Sequence, residues 1–192
     1  MLIDALKFLK DQKPDIDMKS KNVHYLLMMS RVFLEEDMQT LDWRFKENID
    51  AKQALIEARA LQSEVIEMCR ELSSDRLDQE RQLAAEISFK LGKYLEERDG
   101  NIADSITAYN DCLSRKEDHK ESLFALARLF QNMGNNDQCT AFCHRLLKVD
   151  PSNDNASYML ANLMLMRDKP EDAIFIYMQL LDKKPDNFNA LA

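Results

Sequence analysis

Glycine and proline are both scarce in this chain, which has three Gly and four Pro among its 192 residues. Glycine alone makes up about 7% of an average soluble protein. Extended loops, β-hairpins and glycine-rich phosphate-binding loops depend on these residue types, because tight turns and close backbone approach need their special backbone conformations. The scarcity therefore disfavours all three features and makes an all-α fold the default prediction.

Long apolar runs and sorting signals are also missing. The longest apolar stretch, Tyr158–Met166, is interrupted by Asn162 and has roughly half of the about 20 residues that a membrane-spanning helix needs. Because Asp4, Lys7 and Lys10 lie in the first turns, we expect no secretory signal peptide. The four cysteines follow no recognisable pattern, so we expect a reducing compartment without disulfides.

The chain has no excess of positive charge. Charged residues make up 31% of the sequence, and the formal net charge is −8. Nucleic acids and anionic membranes bind basic surfaces. The charge balance therefore argues against both kinds of partner.

What the chain does contain is a 34-residue repeat, clearest between Lys120 and Asn187. Shifting the sequence by 34 residues aligns Leu126 with Leu160, Ala127 with Ala161, Leu129 with Leu163, Leu146 with Leu180, Leu147 with Leu181, Pro151 with Pro185 and Asn153 with Asn187. Each unit has two apolar stripes at helical spacing, separated by a polar break at 133–136 or 167–170. This pattern predicts helix–turn–helix units that stack into a solenoid.

The order of large and small residues in these units resembles the tetratricopeptide repeat. At positions 4, 7, 8, 11, 20, 24, 27 and 32 the first unit has Leu123, Leu126, Ala127, Phe130, Cys139, Cys143, Leu146 and Pro151. The second has Ser157, Leu160, Ala161, Met164, Ala173, Tyr177, Leu180 and Pro185. Small residues are needed at 8 and 20 because two helices cross closely there. The leucine at position 27 departs from the motif.

An earlier unit fits the same order more loosely. Its motif residues are Ser88, Leu91, Gly92, Leu95, Ser105, Tyr109 and Cys112. One extra residue lies in its turn near Gly100, and Glu117 replaces the terminal Pro. The resemblance implies a right-handed superhelical solenoid of antiparallel helix pairs.

The predicted organisation of the whole chain follows from these units. We expect degenerate helical repeats over 1–50, a long helix and the start of the next over 51–84, repeats over 85–119, 120–153 and 154–187, and the start of a further repeat over 188–192. In the first region helices are predicted at 2–13, 22–35 and 38–45, the last containing the single tryptophan, Trp43. Because no polar capping helix follows, we expect the chain to be part of a longer array.

The helix predicted over 51–72 has a heptad-like stripe. Its members are Ala54, Ala58, Leu61, Val65, Met68 and Leu72. Fewer than three heptads are present, and alanine occupies part of the seam. A helix packed along the solenoid is therefore favoured over a coiled coil with another chain, although the pattern leaves both open.

Metal and catalytic sites receive little support. Cys139, Cys143 and His144 lie close together, but structural zinc sites use spaced ligand pairs, and both cysteines occupy packing positions. The same interpretation applies to Cys69 and Cys112. His24, His119 and His144 have no Ser or Cys at a motif spacing. We predict no metal, no cofactor, no small-molecule substrate and no enzymatic activity.

One set of residues is a candidate partner-binding surface. By resemblance, positions 5 and 9 of the first helix face the concave groove of tetratricopeptide arrays. These positions hold Phe89, Lys93, Phe124, Arg128, Tyr158 and Asn162. Three aromatic residues at one register would suit a bound helix or extended peptide. The alternative is that each aromatic ring packs against a neighbouring repeat.

A narrower resemblance covers roughly 51–192. Residues 58–62 on the long helix, 83–87 on the next and the segment 180–187 are similar in order to the family of large tetratricopeptide subunits of intraflagellar transport complex A. It implies a scaffold that binds other subunits of that complex, in the cytoplasm and the cilium or flagellum with its axoneme and basal body, during retrograde transport and cilium assembly. A peptide-binding co-chaperone-type adaptor is the alternative, although aromatic residues at position 5 differ from carboxylate-clamp repeats.

Overall fold

The computed structural model describes residues 16–35, 50–69 and 74–183. These residues form eight α-helices: α1 (Ile16–Glu35), α2 (Ala51–Cys69), α3 (Ser74–Glu97), α4 (Ile102–Arg115), α5 (Lys120–Asn132), α6 (Asn136–Val149), α7 (Asp154–Met166) and α8 (Pro170–Lys183). The described part contains no β-strand, which confirms the all-α prediction. The helices predicted at 2–13 and 38–45, with Trp43, and the residues beyond Lys183 lie outside the described residues.

The chain divides into two compact units, residues 1–117 and 118–192. The first unit contains α1 to α4 and the second contains α5 to α8. This division cuts the chain close to the start of the predicted repeat 120–153. The finer division into individual repeats stays a prediction.

In the first unit each helix packs on the next one along the chain. One core cluster joins α1, α2 and α3 through Val23, Leu26, Met29, Ala54, Ala58 and Ile87. A second joins α2, α3 and α4 through Leu55, Leu91, Leu95 and Ala108. Helix α1 begins at Ile16, six residues before the predicted start at Asn22. Polar residues at its beginning hid this extension, because a helix start without apolar periodicity carries little sequence signal.

Helix α2 buries a wider face than the predicted heptad stripe. Ala54, Ala58 and Val65 are buried as expected, but Met68 is 38% exposed. The additional buried residues are Ala51, Leu55, Gln62, Ile66 and Cys69. The stripe was too narrow because α2 packs against both α1 and α3, and two neighbours need two adjacent stripes on one helix.

The second unit consists of two helix pairs, α5 with α6 and α7 with α8, and α6 packs on α7. In all three repeats four of the motif positions face the interior. The residues at positions 7, 8, 20 and 27 are buried in each repeat: Leu91, Gly92, Ser105 and Cys112; Leu126, Ala127, Cys139 and Leu146; Leu160, Ala161, Ala173 and Leu180. Position 11 is less protected, since Phe130 and Met164 are only half-buried.

The two turns within the helix pairs of the second unit share one backbone design. After α5, the Gly134 N–H donates to the Gln131 carbonyl at 3.0 Å and the Asn135 N–H to Phe130 at 2.9 Å. This is the double hydrogen bond of a Schellman motif, in which the residue at Gly134 takes a positive φ of 71°. The Asn135 side chain then accepts a hydrogen bond from Gln138 N and caps α6.

The turn after α7 repeats these bonds with different residues. Asp168 N donates to Leu165 O at 3.1 Å, and Lys169 N donates to Met164 O at 2.9 Å. Asp168 has a φ of 55°, in the left-handed region that glycine adopts without strain. Helix α8 then begins at Pro170, a residue type that suits the first position of a helix because its missing N–H would be unpaired there in any case. Asp168 therefore occupies the position that Gly134 has in the other turn. Its Cβ atom makes the positive φ less favourable than it is for glycine.

Exchanging the residues of these two turns tests this equivalence. Asp168→Gly should raise the free energy of unfolding by about 0.5–1 kcal/mol, because glycine relieves left-handed strain at a modest entropic cost. The converse change, Gly134→Asp, should lower it by a similar amount. Urea titrations followed by circular dichroism measure both. A loss of stability in Asp168→Gly would contradict the assignment of strain to this residue.

Gly92 is required by a close ring contact. A Cβ atom at this position would lie 2.8 Å from two ring carbons of Tyr109. That ring cannot easily move, because it is only 2% exposed and its hydroxyl donates to Glu96 Oε2 at 2.9 Å. In the next repeat the same two positions hold Ala127 and Cys143. The third repeat combines Ala161 with a Tyr177 that is only half-buried, so the limit set by a fully buried ring applies to the repeat of Gly92.

Gly92→Ala should therefore destabilise the chain by about 1–2 kcal/mol, because overpacking outweighs the gain in helix propensity. In a Tyr109→Cys background the same change should cost much less, since that combination reproduces the next repeat. These two single variants and their combination form a double-mutant cycle, whose stabilities are measured by urea denaturation. Lys93→Ala is a control at an exposed neighbouring position. An equal cost of Gly92→Ala in both backgrounds would show that the ring is not the cause.

Candidate protein-interaction surface

The six predicted partner-binding residues lie in pairs on the first helices of three repeats. Phe89 and Lys93 are on α3 in the first unit. Phe124 and Arg128 are on α5, and Tyr158 and Asn162 are on α7, both in the second unit. In each pair the residues are four positions apart, so they share one face of their helix. Whether the three pairs together line one groove stays a prediction.

The aromatic ring of the first pair packs inside its own repeat. Phe89 is half-buried, and its ring centroid lies 5.8 Å from that of Tyr109 on α4, with the planes tilted by 41°. This spacing is favourable for aromatic pairs. Lys93 points to solvent with 57% of its side chain exposed, and its Nζ lies 3.8 Å from Glu97 Oε1. The pair therefore combines a fixed ring with an accessible ammonium group.

The pair on α7 is arranged in the same way. Tyr158 is half-buried, with its ring centroid 6.2 Å from that of Tyr177 on α8. The Tyr177 hydroxyl donates a 2.9 Å hydrogen bond to Oδ1 of the exposed Asn162. Partial burial, with a smaller contribution from Tyr158, raises the pKa of Tyr177 above its usual value. Tyr177 thus stays protonated as the donor that orients Asn162.

Phe124 and Arg128 on α5 are both half-buried. The repeat of Phe124 has Cys143 where the other two repeats have tyrosine. The two rings with a known aromatic partner, Phe89 and Tyr158, pack against the second helix of the same repeat. This differs from the alternative in which each ring packs against a neighbouring repeat.

The cysteines are packing residues in this fold. Cys69, Cys112, Cys139 and Cys143 are all buried and free. Burial raises the pKa of the Cys143 thiol to about 12, and burial also raises the pKa of Cys139. Their burial in apolar surroundings fits the role of small core residues. His144 is exposed, and within 16–35, 50–69 and 74–183 no group of three or more His, Cys, Asp or Glu residues could hold a metal ion.

Helix α8 carries an apolar surface that the repeat motif does not account for. Ile174, Phe175 and Met178 are 56%, 63% and 60% exposed, and they follow one another at spacings of one and three residues. Leu165 and Met166 at the end of α7 are also exposed. Exposed apolar patches of this kind mark protein contacts. The sequence does carry a signal for this surface. Residues 174–178 are more apolar than packing at motif positions 20, 24 and 27 requires.

None of the helices that the structure describes has the length and apolar character needed to cross a membrane.

The raised pKa of Cys143 predicts a loss of stability in alkaline solution. In the unfolded chain this thiol ionises at its ordinary value of 9.0, whereas in the folded chain it stays protonated to about 12. The contribution of the Cys143 thiol to the free energy of unfolding is therefore intact below pH 9. Above pH 9 it falls by up to about 1.4 kcal/mol for each pH unit. Urea titrations at several pH values measure the slope, and a Cys143→Ala variant serves as the control for other titrating groups. Equal slopes in both proteins would contradict the prediction.

The chain is similar in sequence to several curated proteins that are named for their tetratricopeptide repeats. The chain is 31% identical to mouse (Mus musculus) tetratricopeptide repeat protein 21A over 182 residues, covering 92% of this chain and 13% of that protein. It is 28% identical to the human (Homo sapiens) protein of the same name over 178 residues, again 92% and 13%. Human tetratricopeptide repeat protein 21B is 35% identical over 106 residues, covering 55% of this chain and 8% of that protein. The chain thus spans about one eighth of these relatives' length.

A family model described as the TT21 fifth ARM repeats domain matches residues 154–192. Among solved structures, MamA superposes with a TM-score of 0.55 at 13% identity, covering 91% of this chain and 89% of that one. YrrB, described as a TPR protein with an unusual peptide-binding site, superposes with a TM-score of 0.52 at 17% identity, covering 99% and 95%. These structures support the fold alone. Together with the repeat motif, the similarities show that the chain belongs to the tetratricopeptide-repeat superfamily, in which it is similar to proteins 21A and 21B.

Proposed function

We propose that this chain is a non-catalytic scaffold segment whose repeat surfaces bind other proteins. The observation that carries the proposal is the similarity to tetratricopeptide repeat protein 21A over 92% of the chain. The exposed apolar side chains of α8 support it, because clustered exposed apolar residues mark sites of protein contact. We assign no catalytic, metal or cofactor role, since the described thiols are buried and His119 serves as the N-cap of α5.

We further propose that the parent protein is a subunit of intraflagellar transport complex A. In this role it would bind other subunits of the complex during retrograde ciliary transport and cilium assembly, in the cytoplasm and the cilium with its axoneme and basal body. What supports this is the order of residues along the long helix and the three repeats, together with the similarity to proteins 21A and 21B.

The proposed contact surface consists of Phe89, Lys93, Phe124, Arg128, Tyr158 and Asn162. Two of its rings are held by tyrosines of their own repeats, at centroid distances of 5.8 and 6.2 Å. A side chain that is already fixed loses little rotamer freedom when a partner binds. The rings would therefore act as preorganised anchors, and the polar groups one turn away would orient the partner.

Replacing the three aromatic rings by leucine tests this surface. The triple variant Phe89→Leu, Phe124→Leu and Tyr158→Leu keeps apolar volume in the repeats but removes the flat rings. The tagged chain is captured from ciliated cells and its partners are identified by mass spectrometry. We expect the unmodified chain to recover subunits of complex A and the triple variant to recover about tenfold less, since each anchor contributes on the order of 1 kcal/mol or more.

Tyr25→Leu is the matched control, because Tyr25 is an exposed aromatic residue on α1 outside the proposed surface. Circular dichroism of all three proteins checks that the helices are retained. Unchanged recovery by a folded triple variant would remove these residues from the binding surface. Recovery of chaperones instead of transport subunits would favour a co-chaperone-type adaptor, which binding of a short peptide with a free terminal carboxylate would identify directly.

A further inference from the structure

A cavity of about 350 Å³ lies in the first unit, between three helices. It is lined by Ile66 of α2, Arg81 of α3, and Ser114 and Arg115 of α4. Its volume falls within the range of about 300–1,000 Å³ typical of ligand pockets. Two guanidinium groups therefore face one small space in a chain whose net charge is −8.

Arg115 is held in place but incompletely paired. Its Nη2 donates to the hydroxyl of Ser63 on α2 at 3.3 Å. That hydroxyl in turn donates to the Arg59 carbonyl at 3.0 Å, which fixes the acceptor. The Nε of Arg115 is fully buried and has no hydrogen-bond partner among the described residues. Because this atom is shielded from solvent, a ligand that enters the cavity would contact the terminal nitrogens of Arg115 instead.

Two carboxylates close in sequence to these arginines make only long, solvent-exposed ion pairs. Asp111 lies 3.8 Å from Arg59, and Asp78 lies 3.4 Å from Arg81. A guanidinium has five N–H donors, so the contact to Asp78 leaves most donors of Arg81 available. Because both positively charged side chains line the same cavity, an anion bound there would be attracted by both.

A carboxylate suits this arrangement because its two oxygens match the planar fork formed by the two terminal nitrogens of a guanidinium. The apolar Ile66 can pack against the methylene groups of a glutamate side chain. We propose that this cavity anchors an acidic side chain from a protein partner. The inference rests on the proposed scaffold function and adds the chemistry of one contact, at residues that are not part of the proposed contact surface.

A short peptide tests the pocket without any cellular partner. The probe is a hexapeptide with two central glutamates, acetylated and amidated so that it has no terminal charges. It is titrated into the purified 192-residue chain while the arginine Nε–Hε signals are followed by NMR. We expect the signals of Arg115 and Arg81 to shift, and the matching glutamine peptide to bind about tenfold or more weakly. The net negative charge of the chain opposes nonspecific binding of such a probe.

Three variants define the site. Arg115→Gln should weaken binding of the glutamate peptide about tenfold or more, and Arg115→Lys should not restore it, because lysine keeps the charge but lacks the fork. Arg98→Gln is the control. It removes the same charge from an exposed residue that directly follows α3, about 25 Å from Arg81 along the direction of the helix. Circular dichroism confirms that each variant is folded.

Several outcomes would overturn the proposal. Equal binding of the glutamate and glutamine peptides, unchanged arginine signals, or an equal loss in Arg98→Gln would each rule out a specific carboxylate pocket. Preference for a phosphoserine peptide that leaves the glutamate peptide unbound would assign the cavity to phosphate instead and refute the carboxylate. If the peptide fails but cellular capture of partners succeeds, only the pocket is lost. If the peptide binds but capture fails, the scaffold assignment is lost while the pocket remains.

Discussion

The rest of the structure depends on the close approach of the two helices within each repeat. The approach is possible only where the first helix has a small residue, and Gly92 shows how tight the limit is, with room for a tyrosine ring but not for an added Cβ atom. Ala127 and Ala161 occupy the same position and are fully buried. Because a helix pair of this size buries too little apolar surface to be stable alone, the close packing must continue from one pair to the next.

The same packing explains where binding groups can be placed. The motif residues turn inward, so the remaining positions of each helix are free to vary without disturbing the core. Phe89 and Tyr158 lie at the boundary, with part of each ring packed on a tyrosine and part exposed. A core built from repeated contacts can therefore support a surface that differs from one repeat to the next, and that surface is where partner choice would be made.

Much of the fold could be read from the amino-acid order because its determinants are local. The 34-residue period, the helix pairs and the longer turn near Gly100 all appear as spacings of apolar, small and turn residues. The turn bond from Asn101 N to Leu95 O spans one residue more than its counterpart from Asn135 to Phe130, as the extra residue requires. The early start of α1 escaped prediction, because its first turn has no apolar periodicity.

The sequence by itself thus determined the all-α architecture, the repeat register and the burial of the motif cysteines, since each follows from residues within one repeat. Only the tertiary structure decided which side chains meet across longer distances. The wide buried face of α2 depends on having a neighbour on either side, which a single helical pattern cannot reveal. Ile66, Arg81 and Arg115 belong to three different helices, and they come to line one cavity only when those helices pack. Helix packing brings these residues together, and their spacing along the chain does not predict it.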